Sequence, residues 1–225
     1  MKLYKIVLES DFSKIGTYPQ IEFYKIKDKD MPYDNVWFKS QTDMSVFDME
    51  GMIHIDAKQT HFLSCSELSP KNGFLIDNNT ASLLDQYLPK SCLLHPFLVK
   101  NSFLNSQLKY KFLEVGVSVE LINLVDFEKS TFYQSLFDEF ISEIKITSWD
   151  DWQDKQQEEN VNMSSISIEP KELIIVDEFF DDIGIIKFPF NATIYCTEKI
   201  VETLAINQIS GIVITEEKNI TIHCS

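Results

Sequence analysis

The apolar residues of this chain fall in short runs of strand length, and that spacing restricts it to a sheet-rich fold. The strongest runs, Leu121 to Val125 and Leu173 to Val176, fall well short of the roughly 18 residues of a membrane-crossing helix. Elsewhere apolar and charged residues alternate, as at Ile21, Phe23 and Ile26, the period-two pattern of a half-buried strand. KLYKIVLES reads as a first strand and IEFYKIKDKD as a second, joined by a hairpin or loop. VWFKS and the alternation in MIHIDAKQTHFLSC extend this character, so residues 1–72 form a β-rich N-terminal region.

Residues 73–225 mix strands with short helices. GFLI is a strand, Asp77 or Asn78 caps a helix over ASLLDQYL, and Pro89 ends it before the strand CLLHPFLV. The order recurs near the C-terminus. ATIYC leads to Thr197 as a cap, Glu198 to Leu204 form a helix, Asn207 to Gly211 break it, and IVITEE follows as a strand. The two units share apolar phasing with loose identity, which either duplication or the chance recurrence of short units produces.

Between them, Tyr110 to Val125 reads as one or two strands. Phe132, Leu136, Phe137 and Phe140 are spaced for either a short amphipathic helix or a strand edge. The polar, acidic stretch TSWDDWQDKQQEENVNMSS reads as a loop or disordered segment, and SISIEPKELIIVDEFFDDIGIIKFPFN returns to strands around an acidic turn. These elements predict an α+β fold of mixed or mostly antiparallel sheets with a few short helices, in one continuous domain or two lobes. With 17 phenylalanines against 6 glycines in 225 residues, bulky side chains suffice for a core without disulfide or metal staples.

Charge is unevenly distributed. Residues 1–113 hold 13 lysines and 13 acids, residues 114–225 hold 7 lysines and 22 acids, so the second half carries the whole net charge of -15. All 20 basic residues are lysine. A chain without the planar guanidinium fork and with a negative half is poorly suited to a phosphate backbone, which argues against direct nucleic-acid binding. The N-terminus turns polar by Glu9, Ser10 and Asp11, before any secretory apolar stretch, which predicts a cytoplasmic protein with no membrane association.

Few residues are arranged for chemistry. Cys65, Cys92, Cys196 and Cys224 are too scattered for a redox pair or zinc knuckle and read as reduced, mostly buried thiols. His54, His61, His95 and His223 lie apart, without a local metal-binding pair, and read as structural or surface residues. Cys65 near His61 lacks an evident third group for a hydrolase, and no glycine-rich phosphate cradle or nucleophile elbow occurs. The sequence therefore calls for no cofactor and no catalytic residues.

Two acidic clusters remain, Asp150, Asp151 and Asp154 beside Trp149 and Trp152, and Asp177, Glu178, Asp181 and Asp182 beside Phe179 and Phe180. Carboxylates of this kind either solvate a surface or ligate calcium or magnesium. Aromatics among acids on exposed loops also suit a contact with a basic protein, and these nine residues, the aromatics Trp149 and Trp152 with the seven acids, form the candidate partner-binding site.

From about Gly73 to Thr215 the chain resembles a family of immunity proteins encoded beside polymorphic toxins in bacteria. The likeness rests on ordered landmarks: GFLIDNNTASLLDQYL before a strand ending LLHPFLV, then LINLVDFEKS with Val125, Asp126 and Ser130, then IKFPFNATIYCTEKIVETLAINQISGIVI with Gly211 and Ile212. The resemblance implies a cytoplasmic antidote that binds its cognate toxin and occludes the active site or another surface the toxin needs. An acidic inhibitor would attract a basic toxin by long-range steering. The alternatives are a metal-dependent hydrolase using dispersed carboxylates such as Asp177 or Asp181, and an acidic adaptor that binds an unrelated protein.

Overall fold

A computed structural model of the chain describes residues 2–27, 48–65, 73–101, 104–117, 119–137, 139–161, 165–176 and 184–223. The strand expected over VWFKS, the acidic turn Asp177 to Asp182 with Phe179 and Phe180, and Cys224 lie outside them.

The described strands form three sheets. The first strand, β1 (Leu3–Leu8), lies in a four-stranded sheet ordered β11 (Ile185–Lys187), β12 (Ile194–Thr197), β1, β13 (Ile212–Glu217). A six-stranded sheet runs β2 (Ile21–Lys27), β3 (Asp48–Ile53), β6 (Cys92–Asn101), β7 (Ser106–Val115), β5 (Gly73–Asp77), β4 (Phe62–Leu63). The third sheet is β14 (Ile220–His223), β10 (Ile166–Val176), β8 (Thr131–Leu136), β9 (Glu139–Ile144). Among the described strands only β3 with β6 and β10 with β14 pair in parallel, so the fold is α+β with mostly antiparallel sheets, as the alternation predicts. Strands from both sides of residue 72 share sheets: β4 pairs with β5, β3 with β6, and β1 with both β12 and β13.

Among the described residues four α-helices join the strands: α1 (Phe12–Ile15), α2 (Asn78–Leu84), α3 (Trp149–Val161) and α4 (Glu198–Ile206). Asp77 caps α2, its Oδ1 accepting the Thr80 N–H at 2.7 Å. Thr197 stands at the cap position of α4 without a side-chain bond. β1 and β2 belong to different sheets and are linked through α1, which decides for a loop over a hairpin between them.

The two strand, helix, strand units are alike in topology. β5 and β6 flank β7, β12 and β13 flank β1, and each pair is bridged by a helix, α2 or α4. Both helices turn one face into a common core, where Ala81, Leu84, Ile200 and Leu204 meet Ile76, Leu113, Ile6 and Cys196 of the two sheets. A second core, with Phe132, Ile168, Leu173, Phe188 and Phe190, joins the first and third sheets. A third lies on the six-stranded sheet around Phe97, Val99, Tyr110 and Phe112.

Pro96 lies in β6 just before the stretch that β3 pairs with, which begins at Phe97. The landmarks of the C-terminal half have folding roles. Ser130 is buried and its Oγ accepts the Ile174 N–H at 2.9 Å, while Asp126 N–H donates to the Ile174 carbonyl at 2.9 Å, docking the turn on β10. Gly211 has φ +92°, and a Cβ there would sit 2.2 Å from the Phe62 carbonyl oxygen, so only glycine fits.

One open choice is settled and one expectation is corrected. Residues Val119–Leu124 form a 3-10 turn after β7, so of the one or two strands expected over Tyr110 to Val125 the described residues hold one. The stretch expected to be a loop or disordered around Trp149 is the helix α3, the longest in the described structure. Its N-terminus carries a capping arrangement. Ser148 Oγ accepts the Asp151 N–H at 3.1 Å and Asp151 Oδ2 accepts the Thr147 N–H at 2.8 Å, which satisfies amides that a helix leaves open. Gln, Glu, Lys and Asp are polar yet mostly good helix formers, so polarity alone misled the reading. Phe132 to Ile141, left open between helix and strand, is the β8–β9 hairpin.

Candidate functional site

The proposed partner-binding residues of α3 divide between its two faces. Trp149 and Trp152 are half-buried and pack against the second core, and each ring meets Phe190 edge-on, at 5.7 and 5.5 Å. Trp152 Nε1 donates to the Ile168 carbonyl at 3.1 Å. One turn on, Gln156 donates to the Ile166 carbonyl at 3.2 Å and accepts the Ile168 N–H at 2.9 Å, closing the stretch of β10 that β14 does not reach. The indoles therefore anchor the helix and are only partly open to solvent.

Asp151 is also engaged locally. Lys155 lies 2.9 Å from its Oδ1, and the hydrogen bond from that ammonium, with the Thr147 N–H, holds the carboxyl below its ordinary pKa. Asp150 and Asp154 point outward with Gln153, Gln157 and Glu158, positions spaced three and four apart that make one exposed face. Asp150, Asp154 and Glu158 form no ion pair among the described residues. The remaining candidates, Asp177, Glu178, Asp181 and Asp182, lie outside the described residues.

The hairpin preceding α3 adds aromatics that the sequence reading did not single out as contacts. Phe137 is 79% exposed and Phe140 61%, with Leu136 and Ile141 also open to solvent. Phe137 has φ +51°, a left-handed backbone that is costly for a bulky side chain. β9 is the edge of its sheet, with a register shift opposite Gln134 and Ser135.

Register places Phe132 with Ile144 on one face of this hairpin and Tyr133 with Glu143 on the other. On the Tyr133 face a trough runs inward from Phe140. Its outer part, about 320 Å³, is lined by Tyr133, Phe140, Pro170, Lys171 and Asn219. Its inner part, about 130 Å³, shares Tyr133, Pro170 and Asn219 and reaches Lys5, Glu169, Tyr195 and Glu217. Glu169 accepts from Ser135 Oγ at 3.0 Å and from the Tyr133 hydroxyl at 3.4 Å. Across from it, Lys5 Nζ lies 2.6 Å from Glu217, whose side chain is 4% exposed. Burial pulls the Lys5 ammonium down, but the bond and charge of Glu217 outweigh it and hold its pKa above the ordinary value. Burial raises the Tyr195 hydroxyl, which accepts from Asn191 Nδ2 at 3.0 Å. These residues come from six strands, so no local motif announces them.

The histidines and cysteines are placed elsewhere. His95 is buried, 2.8 Å from Glu114 and stacked on Phe112, while His61 bonds Ser210 at 2.9 Å and Cys65 lies in the core of the six-stranded sheet. Cys65, Cys92 and Cys196 are buried. Among the described residues no three His, Cys, Asp or Glu side chains group to hold a metal ion, and no helix is long and apolar enough to cross a membrane. No family model matches the chain, and no curated protein matches its sequence.

Proposed function

We propose that this chain is a non-catalytic binding protein that captures a basic protein, acting as the immunity partner of a toxin made in the same bacterial cytoplasm. The reading rests on one observation: α3 turns its tryptophans inward and leaves Asp150, Asp154 and Glu158 outward and unpaired, in a half of the chain that carries the entire excess of negative charge. Like charges on one rigid helix repel each other in the free protein, and a cationic surface relieves that repulsion on binding. Exposed Phe140 and Phe137 supply apolar contacts that slow dissociation. The resemblance over Gly73 to Thr215 gives the partner its class.

Co-expression with the product of the adjacent gene tests this. That product alone arrests growth, this chain relieves the arrest, and the two elute as one complex. The triple variant Asp150→Lys, Asp154→Lys, Glu158→Lys lowers the association rate about tenfold or more at low salt. Equal arrest with and without this chain, with no complex on gel filtration, rejects the reading.

A further inference from the structure

We infer that the trough between Phe140 and Tyr195 receives an arginine side chain of the partner; the inference rests on the proposed binding role and names the chemistry of one contact. Five charged groups line or flank it. Lys5 is paired with Glu217, and Lys171 with Glu143, which leaves Glu169. The two donors to Glu169, Ser135 and Tyr133, are neutral hydroxyls, and it has no ion pair among the described residues.

A carboxylate held only by neutral donors lacks an ion-pair partner and retains acceptor capacity on both oxygens. The group that best complements it is a planar cation with several N–H donors, since a guanidinium bonds a carboxylate and stacks on an aromatic face at once. The aromatic face is present. Tyr133 and Phe140 stack with centroids 6.0 Å apart at the outer part of the trough, so a side chain entering past Phe140 runs along rings before reaching Glu169. An anion meets one carboxylate in excess and is repelled. The chain contains 20 lysines and no arginine, so a second copy has no guanidinium to offer and the occupant comes from another protein.

The probe is Nα-acetyl-arginine amide, titrated into the intact chain and followed by amide shifts in heteronuclear NMR. Saturable shifts centred on Tyr133, Glu169 and Glu217 are expected. The uncharged isostere Nα-acetyl-citrulline amide should bind at least about tenfold more weakly, as loss of a charge-assisted bond dictates. Glu169→Gln should abolish the response while the rest of the spectrum stays unchanged, and Phe140→Ala should weaken arginine more than Nα-acetyl-lysine amide. Equal responses to arginine and citrulline, equal responses to arginine and lysine, or an unaltered response in Glu169→Gln overturns the assignment. Its failure is separable from that of the binding role. Rescue of growth with a silent trough removes the arginine site alone, whereas arginine binding without rescue removes the toxin and keeps the site.

Discussion

The indole rings of Trp149 and Trp152 stack 4.9 Å apart and within 10° of parallel, at positions i and i+3 of α3, with Phe190 edge-on to both. That geometry fixes which face of the helix turns inward, and so which carboxylates turn out. Trp152→Ala removes the larger share, because this indole also bonds the Ile168 carbonyl. It should cost about 3 kcal/mol in urea unfolding, near the low end for a large aromatic because the ring is half-buried. A loss under about 1 kcal/mol would mean that α3 is held by its caps and Gln156 instead.

The cap itself has a pH signature. Ser148→Ala should cost about 1 kcal/mol. Lys155 and the Thr147 amide hold the Asp151 carboxyl below its ordinary value of 3.8, so its contribution is complete above that value. It is lost as pH falls from 3.8 through the lower folded value. Asp151→Asn should therefore flatten the acid limb of the stability curve in that window and leave the curve's shape near neutral pH unchanged. An identical acid limb in wild type and variant would exclude this linkage.

How far the residues announce the structure depends on the range over which each signal acts. Strand alternation and the Asp77 cap are local, and β1, β2, β5, α2, β6, β12, α4 and β13 stand where the pattern puts them. Helix α3 was concealed because its buried stripe is short, only Trp149, Trp152 and neighbouring amides, although Ser148 and Asp151 three residues apart announce a helix start. The trough was illegible for a different reason. Lys5, Tyr133, Glu169 and Glu217 meet through pairings more than 30 residues apart in the chain, and a single sequence carries no trace of which strands become neighbours.

Burial pushes the thiols of Cys92 and Cys196 up to about 12, and both are enclosed in the core shared by α2 and α4. Neither offers thiolate at pH 8. Iodoacetamide labelling followed by peptide mapping should leave both unmodified in the native protein and modify both in denaturant. Modification of either at the rate of a free thiol would show that this core opens readily.

Phe137 sets stability against binding. Its left-handed backbone costs about 1–2 kcal/mol for a residue with a Cβ. Glycine adopts the same conformation freely but loses roughly 0.5–1 kcal/mol more chain entropy on folding. The ring is 79% exposed, so its removal sacrifices little burial. Phe137→Gly should accordingly stabilise the chain by about 0.5–1 kcal/mol, seen as a higher urea midpoint at unchanged slope. If the strained aromatic is kept for contact with the basic partner, the same change should weaken the complex with the adjacent gene product by about 2 kcal/mol, some thirtyfold in Kd by calorimetry. A variant that is less stable would refute the strain, and one that binds as tightly as the parent would remove the hairpin tip from the interface.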